Sequence, residues 1–300
     1  MLDTLDRALE HEPDLVCLPE AFPTAGLKGL AIEAKTEPIP GPTTEAVAKR
    51  AAGHRCSIIC PVKTARDGRF FNSAVIIDRT GAVCGVYDKA CPVTSSSDYT
   101  VFEDGVTPGP SAPVFDLDVG RIGIQICFDA GFPENWRALE RQRARLVFWP
   151  SAYDGGFSLR AYAYLHHYYV ISSVRRGVSR VIDPLGAVVC ETGADDDFIV
   201  RDINLDFVVY HGDFNHGIAR RIEAAYGDRV AVRNSAPGSA HYLVEPTDPA
   251  VTCEHLQQEF GFEATALYHD RHRRAYRRMQ KGDAPEPQQP AHANRPQYGR

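Results

Sequence analysis

The chain has 300 residues and is 44% hydrophobic, which is enough to bury a large core as one large domain or two small ones. Its 33 basic and 39 acidic side chains are mixed along the sequence, so no basic stripe predicts a nucleic-acid surface. No apolar run approaches the about 18 residues that span a membrane, and the acidic residues 1–14 are unlike a secretory signal.

The eight cysteines form no CxxC pair and no zinc-like spacing. Most of them lie in apolar, strand-like runs, where a free thiol behaves as a small hydrophobic group. Two adjacent histidines, His166 and His167, have no acidic residue or cysteine near them in a ligand pattern. We therefore expect a cytoplasmic protein with free thiols, without a metal, and without nucleic-acid or membrane partners.

Helical and strand-like hydrophobic patterns alternate up to about residue 206. The predicted helices, in chain order, cover residues 2–9, 43–54, 133–143 and 158–169. The predicted strands cover residues 14–20, 56–62, 71–78, 82–89, 121–127, 145–151, 169–174, 179–184, 187–191 and 198–206. Short turns join two pairs of these strands into hairpins, and the element order runs through two similar rounds. The order predicts a layered α/β fold with a mixed sheet in each half.

Three reactive residues stand where predicted strands end: Glu20, Lys89 and Cys127. Because ligands gather outside the carboxyl ends of strands in α/β sheets, these residues can converge despite their separation in the chain. A thiol, a carboxylate and an ammonium are the groups that acyl transfer uses as nucleophile, base and oxyanion partner. Taken singly, a solvated Glu or Lys and an inert Cys are the commoner interpretations.

Three segments around these residues resemble the signature segments of the nitrilase superfamily of carbon-nitrogen hydrolases, in order and approximate spacing. They are Leu18-Pro19-Glu20, Tyr87-Asp88-Lys89, and Ile126-Cys127-Phe128-Asp129 with the following Phe132-Pro133-Glu134. The resemblance implies an αββα fold that pairs as αββα–αββα in a homodimer or higher homo-oligomer. It also implies that Glu20 is the general base, Lys89 the oxyanion stabiliser and Cys127 the nucleophile, with the backbone N–H of Phe128 completing the oxyanion hole.

Many members of this superfamily carry a second glutamate in the loop after the lysine, a few residues before an aromatic residue and a glycine. Asp98 fits that spacing ahead of Phe102 and Gly105, although its side chain is one methylene shorter. Glu103 fits less well because it follows the aromatic residue. The alternative for Asp98 is an ordinary solvated loop residue.

The first strand that family members usually have, of the type VAxxQ, is missing ahead of the helix at 2–9. We expect that its absence leaves strand edges unpaired, and that the natural start lies upstream or that the chain is a fragment. The resemblance predicts a catalytic core over 1–206 and an extension over 207–280 that packs on the core or at a dimer interface. The Pro- and Gln-rich residues 281–300 are predicted to be disordered.

The residues around the nucleophile favour one branch of the superfamily. Cys127-Phe128-Asp129 with Pro133-Glu134-Asn135-Trp136-Arg137 resembles amidases and N-carbamoyl-amine hydrolases more than nitrilases in the strict sense. The expected reaction is hydrolysis of a linear amide or carbamoyl C–N bond through a thioester, without a cofactor. A strict nitrilase, and an idle homologue that acts as a structural subunit, are the alternatives. Ser151 and Tyr153 follow a strand near the site and are candidates for contact with the small-molecule substrate.

Overall fold

The computed structural model describes residues 1–27, 29–213, 215, 217–234, 236 and 238–286. The chain divides into two compact units, residues 1–201 and 202–300. None of the helices among the described residues is long and apolar enough to cross a membrane. The tail predicted to be disordered lies outside the described residues from 287 onward.

The first unit contains two mixed sheets and four α-helices. In chain order its elements are α1 (Leu2–Leu9), β1 (Leu15–Cys17), α2 (Pro42–His54), β2 (Ser57–Arg66), β3 (Arg69–Ile77), β4 (Val83–Asp88), β5 (Val114–Leu117), β6 (Gly120–Ile124), α3 (Pro133–Arg141), β7 (Leu146–Ser151), α4 (Gly156–His166), β8 (Tyr169–Val174), β9 (Arg180–Ile182) and β10 (Val188–Glu191).

The first sheet has the order β1-β2-β3-β4, with β1 parallel to β2 and the remaining pairs antiparallel. The second sheet has the order β10-β9-β8-β7-β6-β5, with β6, β7 and β8 parallel to one another. Every residue of β7 is buried, as expected of a parallel strand covered on both faces.

Helices cover the outer face of each sheet. Helices α1 and α2 pack on the first sheet through a core that includes Leu5, Leu9, Val47, Ala51, Ile58, Cys60 and Val75. Helices α3 and α4 pack on the second sheet through Trp136, Leu139, Leu159, Ala163, Val147, Trp149 and Val170. The inner faces of the two sheets meet at Gly85, where an added Cβ would lie 2.6 Å from Cδ1 of Phe115. This is the αββα layering that the resemblance implied.

The structure differs from the predicted elements in two places. Residues 198–206 alternate apolar and polar side chains but form no strand, and Asp206 N–H instead bonds Asn204 Oδ1 in a local turn. The short strand β5 was not predicted, because its four residues become regular only by pairing with β6. β1 lies at an edge of the first sheet, with β2 as its strand partner.

The second unit has a core of its own. Its elements are β11 (Val208–His211), α5 (Ile218–Tyr226), β12 (Val230–Asn234), β13 (His241–Pro246), α6 (Cys253–Phe260) and α7 (Thr265–Gln280). The three strands form an antiparallel sheet in the order β11-β13-β12. Ile218, Ile222, Val244, Leu256 and Phe262 are among its fully buried side chains.

Candidate active site

The three predicted strand-end residues all become buried in the first unit. Glu20 follows β1, Lys89 directly follows β4, and Cys127 opens a 3₁₀ helix (Cys127–Gly131) that follows β6. Their exposed fractions are 4%, 1% and 8%. A carboxylate and an ammonium are rarely buried to this extent unless they are paired.

A row of polar side chains crosses the inner face of the first sheet. Val62 belongs to the outer-face core, so its neighbour Lys63 lies on the inner face. Lys63 pairs with Asn72 between β2 and β3, and Lys89 N–H donates to Asn72 O at 2.8 Å. The amide Nδ2 of Asn72 donates at 2.9 Å both to Glu20 Oε1 and to Glu103 Oε2. Asn72 therefore holds the carboxylates of Glu20 and Glu103 against the inner face of the first sheet.

Lys89 joins the same two carboxylates. Its Nζ lies 3.0 Å from Glu20 Oε1 and 2.5 Å from Glu103 Oε1. Burial opposes the charge of this ammonium, but the charges of Glu20 and Glu103 outweigh burial and raise the pKa of Lys89 above its usual range. Lys89 is therefore a fixed positive charge in a site largely closed to water.

In the loop that follows β4, the structure places the carboxylate of Glu103, and not that of Asp98, against Lys89. The loop folds on itself, with Ser95 N–H bonded to Val101 O at 2.8 Å, which leaves Asp98 exposed and bonded to the Thr100 hydroxyl. Glu103 lies at the base of this fold, where its carboxylate reaches Lys89. Burial alone would raise the pKa of Glu103, but the charge of Lys89 and the hydrogen bonds to the carboxylate outweigh it and lower the pKa.

Cys127 lies on a tightly held turn. Its φ is 49°, in the left-handed region that non-glycine residues seldom adopt, and its carbonyl accepts from Trp149 Nε1 at 3.0 Å. The buried carboxylate of Asp129 accepts from Ile126 N–H and from Cys91 N–H, both at 2.8 Å. These bonds tie the turn before Cys127 to the loop that follows Lys89.

The environment of Cys127 keeps its thiol neutral. Burial raises the pKa of Cys127 to about 11, and the charge of Glu20 adds to this rise. Lys89 and hydrogen bonds from Ala152 N–H and the Ser151 hydroxyl act in the opposite direction. At neutral pH the thiol therefore needs a base before it can attack a substrate.

The remaining predicted residues lie around the thiol. Ser151 ends β7, is fully buried, and is among the groups that act to lower the pKa of Cys127. Tyr153 is 43% exposed, and its ring packs edge-on against Trp149 at 5.3 Å between centroids. Phe128 is 40% exposed, and its backbone N–H is among the first of the 3₁₀ helix, which have no partner within the helix.

Asn72 and Arg175 were missed by reasoning from the sequence, and Glu103 was ranked below Asp98. Asn72 could have been noticed from the alternation of side chains along β3. It is a polar residue on the face that continues with the apolar Ala74 and Ile76. Arg175 directly follows β8, and its Nη2 lies 3.8 Å from Glu20 Oε2. It had the same strand-end signal as Glu20 and Cys127. Within the described ranges, no group of three or more His, Cys, Asp or Glu side chains is arranged to hold a metal ion.

The relatives that the chain resembles include a hydrolase and an amidase. Over 235 residues the chain is 28% identical to "Hydrolase in pqqF 5'region" of Pseudomonas protegens, covering 72% of this chain and 81% of that protein. Over 230 residues it is 26% identical to the deaminated glutathione amidase of Synechocystis sp., covering 68% of this chain and 84% of that protein.

The fold is similar to the crystal structure of Saccharomyces cerevisiae Nit3, a member of branch 10 of the nitrilase superfamily. The TM-score is 0.55 at 21% identity, over 63% of this chain and 76% of that one. The predicted α/β fold of the nitrilase type is thereby confirmed, whereas the dimer pairing and the missing first strand stay predictions.

The sequence pattern of one family covers all of the first unit and extends a few residues beyond it. The match is to the carbon-nitrogen hydrolase family, over residues 1–209. The prediction of an enzyme that hydrolyses carbon-nitrogen bonds other than peptide bonds is confirmed at this level. The chain, with its buried Glu20, Lys89 and Cys127, belongs to the carbon-nitrogen hydrolase family.

Proposed function

We propose that the protein hydrolyses linear amide or carbamoyl C–N bonds through a thioester on Cys127. The observation that supports this most directly is the buried ammonium of Lys89, bound by Glu20 and Glu103 and coupled electrostatically to the Cys127 thiol. A thiol, a base and a fixed cation in one site largely closed to water suit nucleophilic acyl transfer.

In the first half of the reaction Glu20 takes the thiol proton as Cys127 Sγ bonds to the carbonyl carbon. The π electrons of the carbonyl move onto its oxygen, and Lys89 together with the Phe128 N–H stabilises the resulting oxyanion. The C–N bond then breaks, Glu20 returns its proton to the leaving nitrogen, and ammonia or an amine departs.

In the second half a water molecule replaces the amine. Glu20 takes a proton from the water as its oxygen attacks the thioester carbon, and the C–S bond breaks to release the acid. The proton returns to the sulfur, which restores the neutral thiol. Glu103 remains bound to Lys89 throughout and keeps the ammonium in position.

The choice of an amide over a nitrile has two supports. The Synechocystis relative is named as an amidase. In addition, the residues Cys127-Phe128-Asp129 resemble the amidase and N-carbamoyl-amine hydrolase pattern, and Asp129 is here the carboxylate that holds the turn of the nucleophile.

Rapid quenching during turnover tests the proposal. With a panel of linear amides, ureido acids and nitriles, we expect an acyl mass adduct on the peptide that contains Cys127. Cys127→Ala should lower kcat on the order of 10⁴-fold or more. Cys91→Ala is the control. Cys91 is a second thiol, in the loop that follows Lys89, and its Sγ accepts a hydrogen bond from Asn135 Nδ2.

Three results would contradict the proposal. An adduct on Cys91 would overturn the choice of nucleophile, and turnover confined to nitriles would identify a strict nitrilase. A folded protein without any adduct or turnover across the panel would favour the idle homologue.

A further inference from the structure

Three histidines of the second unit meet between its sheet and α7. His211 of β11 and His241 of β13 are register partners, and their ring centroids are 5.1 Å apart. The ring of His269 in α7 lies 6.0 Å from that of His211. Because side chains alternate along a strand, the two strand histidines face away from Tyr210 and Val244, which belong to the core with α5 and α6. The histidines therefore lie on the opposite face of the sheet, against α7.

Helix α7 is held to the sheet through ring contacts more than through a buried apolar face. In α7, which the structure describes over its whole length, Thr265 is the only buried residue, whereas α5 and α6 each place apolar side chains in the core. Tyr268 stacks on His211 with 5.1 Å between centroids, and its hydroxyl donates to Asp213 Oδ2 at 3.0 Å. Elements with few buried apolar contacts separate at a lower free energy than those in a core. α7 is therefore the helix of this unit that separates most readily.

The surroundings of these histidines favour the uncharged imidazole. Burial lowers the pKa of His241 to about 4, and the charges of His211 and His269 act in the same direction. Burial also lowers the pKa of His269, and the charges of Arg273 and two neighbouring histidines add to this effect. The backbone N–H of Asp213 donates to His211 Nδ1 at 3.1 Å, which requires that nitrogen to be unprotonated. Protonation of His241 and His269 is therefore disfavoured while α7 is in place.

Two carboxylates beside the cluster act in the opposite direction. Asp213 Oδ2 lies 3.5 Å from His211 Nδ1, and the charge of Asp270 favours the protonated form of His269. Asp270 is already paired with Arg273 at 2.7 Å. The other ionisable groups near the three rings are Tyr268, Arg271 with its partner Glu263, His272, Arg274 and Tyr276. The three carboxylates and three arginines of this set balance one another, which leaves the burial of the rings as the main effect.

We propose that the three histidines form an acid-sensitive contact: at mildly acidic pH their protonation releases α7 from the sheet, while the sheet, α5 and α6 remain folded. Neighbouring imidazolium rings repel one another, and each charged ring is stabilised by water that it reaches once α7 has left. The release exposes the histidine face of the sheet and frees α7 as a basic segment with five arginines. It involves the second unit alone and does not depend on the proposed function.

The direction of the pH dependence follows from the lowered pKa values. After release the histidines bind protons with the ordinary pKa of 6.5, whereas under α7 they bind protons less readily. The contact is therefore fully stable above pH 6.5 and weakens as the pH falls toward the folded pKa of His241, which is about 4. At pH 5 we expect the equilibrium constant for docking of α7 to be lower by about 10-fold or more.

Hydrogen exchange, measured by mass spectrometry on the full chain at pH 7.5 and pH 5, tests the proposal. After correction for the intrinsic effect of pH on exchange, the protection of α7 in wild type should fall about 10-fold or more, and that of α5 and β12 should stay unchanged. In the double variant His241→Gln with His269→Gln, the protection of α7 should depend on pH only weakly, because glutamine cannot be protonated. His255→Gln is the control, since His255 is exposed in α6 and pairs with Glu259, and it should behave like wild type.

Equal protection of α7 at the two pH values in wild type would overturn the proposal. Equal losses in α5, β12 and α7 would overturn it as well, because the whole unit would then unfold. An undiminished loss in the double variant would assign the effect to other groups. If the double variant does not fold at pH 7.5, NMR titration of the histidine ring protons in wild type decides. Midpoints below 6.5 for His241 and His269 that coincide with the loss of α7 protection support the proposal, and ordinary midpoints overturn it.

Discussion

At the scale of single residues, the feature that defines the site is an ammonium held by two carboxylates. If Lys89 were paired with Glu20 alone, protonation of Glu20 would leave the buried ammonium without a counter-charge, whereas Glu103 still balances it. In the proposed mechanism the two carboxylates have different roles. Glu20 exchanges protons with the thiol, and Glu103 remains bound to Lys89.

Removing the charge of Glu103 tests this division. Glu103→Gln keeps the shape of the side chain but weakens the hold on Lys89, so we expect kcat to fall about 10²-fold or more. Asp98→Ala is the matched control, since Asp98 lies in the same loop but bonds only its neighbours there. Steady-state kinetics on one good amide would decide. Equal rates for wild type and Glu103→Gln, or a large loss in Asp98→Ala, would contradict the assignment.

How much of the site the sequence predicts depends on what brings each residue there. Glu20, Lys89 and Cys127 were predictable because strand ends converge by topology. Glu103 was not, because spacing along a loop does not reveal that the segment from Ser95 to Val101 folds back on itself. The left-handed conformation of Cys127 was equally invisible in the sequence.

At the scale of elements, hydrophobic periodicity predicted most of the first unit. The helix at 2–9 and the hairpin of β3 and β4 follow the predicted pattern, because apolar spacing and turn residues agree with the fold there. Elements that depend on a distant partner were missed or misjudged. Residues 198–206 have the alternation of a strand, but the structure gives them no ladder in the described chain.

The close approach of the two sheets should be sensitive to one methyl group. In Gly85→Ala the new Cβ would lie 2.6 Å from Phe115 Cδ1 and 2.9 Å from Ile76 Cδ1, so we expect a loss of about 1–3 kcal/mol in the free energy of unfolding. Gly53→Ala is the control: the site is open and lies in α2, so a gain of up to about 1 kcal/mol is expected. Urea unfolding measures both. Equal stability of the two variants would mean that the sheets are not packed at Gly85.

At the scale of the whole molecule, the chain has two units with separate cores, and the site lies in the first. The predicted homo-oligomer and cytoplasmic location stay predictions, as does the role of residues 207–280. The site nevertheless couples to global stability, because the folded state contains charged pairs that the unfolded chain lacks.

That coupling predicts a dependence of stability on pH. The fold lowers the pKa of Glu103 below the ordinary glutamate value of 4.5, so the folded state favours the carboxylate. The resulting stabilisation is complete above pH 4.5 and is lost as the pH falls through the lowered pKa. Glutamine cannot titrate, so the difference in Tm between wild type and Glu103→Gln should be constant from pH 5 to 7. Below pH 4.5 the Tm of wild type should fall relative to that of Glu103→Gln. A difference that stays constant down to pH 3 would show that Glu103 is not coupled to the fold.

The backbone of Cys127 limits how this enzyme can be improved. A left-handed conformation costs a residue with a side chain about 1–2 kcal/mol, and glycine avoids that cost. The most stable residue for this position, glycine, therefore differs from the proposed nucleophile. A laboratory selection that rewards thermal resistance alone is expected to favour glycine at residue 127 and so to remove the proposed nucleophile. Directed evolution of this fold must therefore link survival to turnover.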